Sequence, residues 1–169
     1  EGFGFSASAV VIILIVYGVM VAIGNTIGGH LANEKPLASL IKMFGLLMAA
    51  LVFLFVTTLI GNTILGLLAA LLLGLFAFMN VPGLQLYVVQ LAEKYVPQDI
   101  TLASAFNIAA FNIGITLGST VGAQVTGKMG IAYTPIFGAV IVLLAILLIV
   151  QVKKSESPEA SNEMTECKE

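Results

Sequence analysis

Five apolar runs, separated only by short polar breaks, dominate this sequence; they cover about 8–31, 38–60, 63–91, 102–127 and 131–152. A helix of roughly 20 mostly apolar residues crosses the ~30 Å hydrocarbon core of a bilayer. Within that core every backbone N–H and C=O needs a partner, and a helix supplies all of them from its own segment. The runs therefore predict an all-α membrane protein with five transmembrane helices. Composition points the same way. The chain is 59% hydrophobic and 9% charged, against about 25% charged in an ordinary soluble domain. So little charge could not coat a soluble core, and the lipid bilayer is the first partner expected. No basic patch is interleaved with aromatics, so no nucleic-acid partner is expected.

The breaks carry turn chemistry: Asn33-Glu34-Lys35-Pro36, Gly61-Asn62, Glu93 to Asp99 with Pro97, and Gly127-Lys128-Met129-Gly130. Residues 1–152 read as one transmembrane bundle. Residues 153–169, KKSESPEASNEMTECKE, read as a solvated, disordered tail without apolar period. The single cysteine, Cys167, lies in that tail and can form no disulfide within the chain. The chain opens on Glu1 with no basic segment before its first apolar run, which does not fit a signal peptide. It reads as a piece whose upstream part is missing.

Basic residues favour the cytoplasmic side of a membrane. If five spans alternate, Lys35, Lys42, Lys94, Lys153 and Lys154 fall on one side and Lys128 on the other. Residues 1–7 are thus expected outside and the C-terminus in the cytoplasm. A multi-pass protein of a cell membrane is expected.

The spans differ in kind. Residues 43–56 and 136–150 contain no polar side chain, so those two helices can face lipid all round. The other three carry Asn25, Thr26, Asn80, Gln85, Gln90, Asn107, Asn112, Thr116, Ser119, Thr120 and Gln124. Amides in hydrocarbon are costly unless paired or wetted, so these three helices are expected to be the inner ones. Within 102–127, Asn107, Phe111, Gly114, Gly118 and Gly122 share one helical face, and Asn112, Thr116, Ser119 and Ala123 lie near the opposite one. The first face suits helix packing. The second either lines a cavity or hydrogen-bonds a neighbouring helix. In FMNVPGLQLY, Pro82 donates no hydrogen bond and Gly83 adds flexibility, which predicts a kink. Asn80 beside it is the foremost candidate for substrate contact, with Gln85 on the same span.

An internal repeat accounts for the glycines. AIGNTIGGHLA at 22–32 aligns with TLGSTVGAQVT at 116–126, a shift of 94 residues. The two copies fall at opposite ends of the membrane, the mark of an inverted-topology repeat. Gly24 and Gly28, like Gly114, Gly118 and Gly122, are spaced by four and lie on one helix face. Such spacing lets two backbones approach closely, either for packing alone or so that two bundles can rock on each other.

Three stretches, YGVMVAIGNTIGGHLANEKP, MNVPGLQ and ASAFNIAAFNIGITLGSTVGAQV, resemble the C-terminal half of major facilitator superfamily transporters. The branch they are most similar to is the arabinose efflux permease-like, drug:proton antiporter group. The resemblance covers residues 1–152 as helices 8 to 12 of the family's twelve, most of the C-terminal six-helix bundle. It departs from the family loop motif at Asn33, where an acid is expected, and at His30, where some members have arginine. It implies a secondary transporter working by alternating access, with proton-coupled efflux of a small polar or amphiphilic solute such as a sugar, nucleoside or drug. It also implies that the N-terminal half and helix 7 lie outside this chain.

No cofactor and no metal site are expected. All nine acids lie in termini or connections, so a coupling acid is expected in the absent N-terminal half, and His30 sits at an interface. A membrane enzyme would need a nucleophile, paired carboxylates or metal ligands, and the span interiors offer none. A non-transporting helical protein, a structural subunit or sensor, is the other class considered. The polar spans and the repeat argue against it.

Overall fold

A computed structural model describes residues 6–33 and 36–166. Residues 1–5, 34–35 and 167–169 lie outside that description, and with them most of the N-terminal segment expected outside, Lys35 and Cys167. Five long helices follow one another: α1 (Ala7–Ala32), α2 (Pro36–Ile60), α3 (Thr63–Tyr95), α4 (Ile100–Met129) and α5 (Thr134–Glu166). Short 3-10 turns, Pro97–Asp99 and Ile131–Tyr133, precede α4 and α5. All five helices are long and apolar enough to cross a membrane. There is no strand among the described residues.

Local chemistry sets the boundaries. The first four N–H groups of a helix have no partner within it. Ser6 Oγ accepts from the Ala9 N–H at 3.3 Å, and Asn62 Oδ1 accepts from the Ile64 and Leu65 N–H groups at 3.0 and 3.1 Å. Gly61 has φ +72° and Gly130 +96°, a region an L side chain rarely adopts. Those two residues let the chain reverse between α2 and α3 and between α4 and α5. The turn between α1 and α2 is tied by Ser39, whose hydroxyl donates to the Leu31 carbonyl at 2.6 Å.

α3 is the centre. It packs against α1 and α2 and touches α4, while α2 also packs against α5. The α1–α3 contact is a backbone-to-backbone one. A Cβ built at Gly24 would run into the Leu75 carbonyl, one at Gly28 into the Met79 carbonyl, and one at Gly74 into the Tyr17 ring. Ala32, Met43 and Met79 form a buried cluster closed by Phe76 and Leu86. On the other side of α2, Leu51 lies under Gly138 of α5, and the Phe55 and Tyr133 rings stand 6.3 Å apart.

One expectation is corrected. α2, with its all-apolar stretch, does not face lipid all round: Leu40, Met43, Ala50 and Leu51 are buried against α3 and α5. Apolar side chains suit lipid and protein alike, so shape decides which they meet. Within this chain α4 is almost wholly exposed among the described residues, with only Val125 buried. α5 is assigned as helix to Glu166, through the segment that the sequence reads as a tail. A helix already nucleated adds residues at little cost, and at 33 residues and 1.5 Å each it reaches ~50 Å, beyond the bilayer core.

Topology is testable directly. Reporter fusions after Asn62 and after Glu156 are expected to report opposite sides of the membrane, the second cytoplasmic. The same side for both would overturn the layout.

Candidate functional site

The polar residues of the spans fall into three groups, according to what their hydrogen bonds reach. The first group is one buried amide. Asn80 is 3% exposed. Its Nδ2 donates to the Phe76 carbonyl one turn back at 2.8 Å, while its Oδ1 has no hydrogen-bond partner among the described residues. A buried acceptor left without a donor costs of the order of 1–3 kcal/mol. Pro82 lies two residues on, inside a helix assigned without interruption from Thr63 to Tyr95. Gly83 is buried, and a Cβ there would sit 3.1 Å from Leu40 Cδ2 and 3.6 Å from Ala32 Cβ. Its bareness lets α1 and α2 close over α3 beside Asn80.

The second group is a clamp between α3 and α4. Gln85 Nε2 donates to Ser104 Oγ at 2.5 Å, and Asn107 Nδ2 donates to Gln85 Oε1 at 2.5 Å. One glutamine thus uses both ends of its amide on α4. All three residues are half-buried. The structure therefore sets Gln85 with Ser104 and Asn107, away from the polar face of α4. Sequence reasoning did not single out Ser104. A signal existed: α3 and α4 are joined by a short connection, so residues at similar distances on either side of it lie at similar depth.

The third group is the polar face of α4. Asn112 Nδ2 donates to the Ile108 carbonyl at 3.0 Å, Thr116 Oγ1 to the Asn112 carbonyl at 2.9 Å, Ser119 Oγ to the Thr116 carbonyl at 3.0 Å, and Thr120 Oγ1 to the same carbonyl at 2.8 Å. These four donations fold back onto the same helix, three or four residues earlier, a pattern by which polar side chains satisfy their donors locally. All four side chains are exposed. The Asn112 Oδ1 and the hydroxyl oxygens keep acceptor lone pairs directed away from their own backbone donations. Such a face can accept hydrogen bonds from a polar solute. Among the described residues no three His, Cys, Asp or Glu come together as a metal site.

The glycines divide in the same way. Gly24 and Gly28 are closed against α3, whereas a Cβ at Gly114 or Gly118 would meet nothing within 4 Å and one at Gly122 only Thr134 Cγ2 at 3.8 Å. The two copies of the repeat are thus differently engaged within this chain.

Comparison with known proteins places the sequence among transporters. It is 48% identical over 145 residues to "Uncharacterized MFS-type transporter YtbD" of Bacillus subtilis strain 168, covering 86% of this chain and 36% of that protein. To "Inner membrane transport protein YdhP" of Escherichia coli K12 it is 34% identical over 137 residues, covering 80% of this chain and 34% of the relative. To "Probable sugar efflux transporter" of Pasteurella multocida it is 27% identical over 160 residues, covering 95% and 38%. The chain spans about a third of the length of these curated relatives. No family model matches it, and no solved structure does.

Proposed function

The chain belongs to the major facilitator superfamily, and we propose that it supplies five spans of a secondary active transporter that exports a small polar or amphiphilic solute by alternating access. The observation that carries this reading is the polar face of α4. Four side chains with spare acceptors stand exposed at Asn112, Thr116, Ser119 and Thr120 on a helix that must cross hydrocarbon. Polar groups that face neither a partner nor water are disfavoured in lipid, so a water-filled path is the setting that suits them. A sugar, rich in hydroxyl donors, fits an acceptor-lined face, and one relative carries a sugar-efflux name. Asn80, with its free Oδ1, is the second contact proposed, reached when α3 opens at Pro82.

Proton coupling belongs to the same proposal, with its acid outside this chain. All nine acids lie outside the five apolar runs, and His30 is exposed at the end of α1. Proteoliposomes holding the full-length transporter test both parts. With a sugar panel and an imposed pH gradient, Asn112→Ala combined with Thr116→Val is expected to cut flux about tenfold, the worth of one lost charge-free contact set at ~1.4 kcal/mol in the rate. His30→Gln is expected to retain proton-driven flux. Unchanged flux in the first variant would remove the path from α4. Loss of pH dependence in the second, with solute binding intact, would make His30 the coupling group.

A further inference from the structure

α2 has a packed side and an open side. Leu40, Met43, Ala50 and Thr57 are buried, Leu51 lies under Gly138 of α5 and the Phe55 ring faces that of Tyr133. The open side is a single stripe. At about 100° per residue, Lys42, Gly45, Leu46, Ala49, Val52 and Val56 fall within an arc of about 120°, and each of them is exposed. Leu51 lies about 180° round the helix from Lys42, so the stripe looks away from α5. Lipid suits every residue of the stripe except the lysine.

The surroundings of Lys42 match one kind of molecule. Lys42 lies six residues after Pro36, the first residue of α2, or about 9 Å along the axis, in a helix long and apolar enough to cross a membrane. No ion pair or hydrogen bond engages it among the described residues. Side chains on a helix lean toward its N-terminus, and for Lys42 that is the near end of α2. The ammonium group can therefore reach headgroup depth while its stem stays in hydrocarbon. Ala38, on the same face one turn nearer that end, is too short to block it. One turn the other way, a Cβ built at Gly45 meets nothing within 4 Å, and Ala49 follows with only a methyl group. The stripe is thus a shallow apolar trough with a positive charge at one end.

We propose that this stripe holds an anionic glycerophospholipid of the cytoplasmic leaflet, its phosphate on the Lys42 ammonium group and an acyl chain along Gly45 and Ala49. Charge complementarity selects the occupant. A lysine near the membrane surface attracts a lipid with net negative charge, whereas a zwitterionic lipid brings a cation of its own to the same depth. The apolar trough selects a molecule with chains over a soluble anion. This site depends on the membrane orientation expected for α2 and not on the solute path along α4.

The test uses the full-length transporter, delipidated in detergent and titrated in native mass spectrometry with phosphatidylglycerol or phosphatidylcholine of identical chains. Wild type is expected to retain phosphatidylglycerol in preference. Lys42→Gln is expected to lower that preference about fivefold, Lys42→Arg to keep it, and Lys128→Gln, at the opposite membrane face by the expected topology, to leave it unchanged. Gly45→Leu fills the trough and keeps the charge, and is expected to weaken retention of both lipids alike. Lys42 and Gly45 are exposed, so these variants are expected to elute from size exclusion as wild type does. A phosphatidylglycerol with a photoreactive group in its acyl chain should label α2 between residues 45 and 56. An unchanged preference in Lys42→Gln, unchanged retention in Gly45→Leu, or label on other helices alone would each overturn the proposal. Competition by millimolar glycerol phosphate would overturn it too, since the site would then take a soluble anion. Flux measured on the same variants keeps the outcomes apart, because loss of the lipid site with transport intact contradicts this site alone.

Discussion

Gly28→Leu is expected to prevent α1 from docking on α3 and to leave little folded protein. The Cβ alone would meet the Met79 carbonyl, and the backbone atoms beside it as well. Backbone cannot swing aside as a side-chain tip can, so relief requires moving one helix away from the other. Overpacking costs about 1–3 kcal/mol where side chains can adapt, and here the upper end or more applies. Separation would also forfeit the neighbouring contacts at Gly24 and at Tyr17 over Gly74. Gly18→Leu is the matched control, because a Cβ there meets nothing within 4 Å. In detergent, the Gly28 variant should show a thermal midpoint far below wild type or only aggregate by size exclusion. A Gly28→Leu protein as stable as Gly18→Leu would show that α1 and α3 do not pack through these glycines.

Gln85→Leu is expected to loosen α4 from α3. The substitution removes two interhelical hydrogen bonds at once and leaves the Asn107 amide and the Ser104 hydroxyl half-buried without that partner. Interhelical hydrogen bonds in membranes are worth ~0.6 kcal/mol on average and up to ~2, so the pair together amounts to about 1–2 kcal/mol. Because α4 has little other packing along its length within this chain, that loss falls on its main attachment. A double-mutant cycle between Gln85→Leu and Asn107→Leu, read by thermal denaturation, should give a coupling of about 1 kcal/mol. Additive effects would mean the clamp is not made in the membrane.

Much of this arrangement was legible in the sequence, and the gaps have identifiable causes. The spans and turns could be read because hydrocarbon imposes length, and because Gly61-Asn62 and Gly130 are residues a reversal requires. The GxxxG spacing at Gly24 and Gly28 indicated close contact but not with which helix. α2 illustrates the limit: its 43–56 stretch is uniformly apolar, and a uniformly apolar helix gives no sign of which neighbours it meets. α4 illustrates the converse. Its polar side chains raised the expectation of an inner position, and within this chain Asn112, Thr116 and Ser119 donate to their own backbone, an arrangement that sequence spacing allows without requiring. Gln85 also has partners at matching depth across the Pro97–Asp99 turn, Ser104 and Asn107, a pairing that spacing alone did not bring out.

The proposed solute path along α4 is the centre of this account, and cysteine accessibility at Asn112 addresses it most directly. In the full-length transporter with Cys167→Ser, a single cysteine at Asn112 should react with a small membrane-impermeant thiol reagent applied to sealed membranes. Transported solute should slow that reaction, because the same face would hold it. A cysteine at Leu148, exposed on the all-apolar stretch of α5, should remain unreactive, and one at Asn62 should report that the reagent reaches the exposed turn. Reaction at Asn112 with protection by solute is the predicted result. An unreactive Asn112→Cys in a transport-competent protein, with Asn62→Cys labelled, would contradict the account.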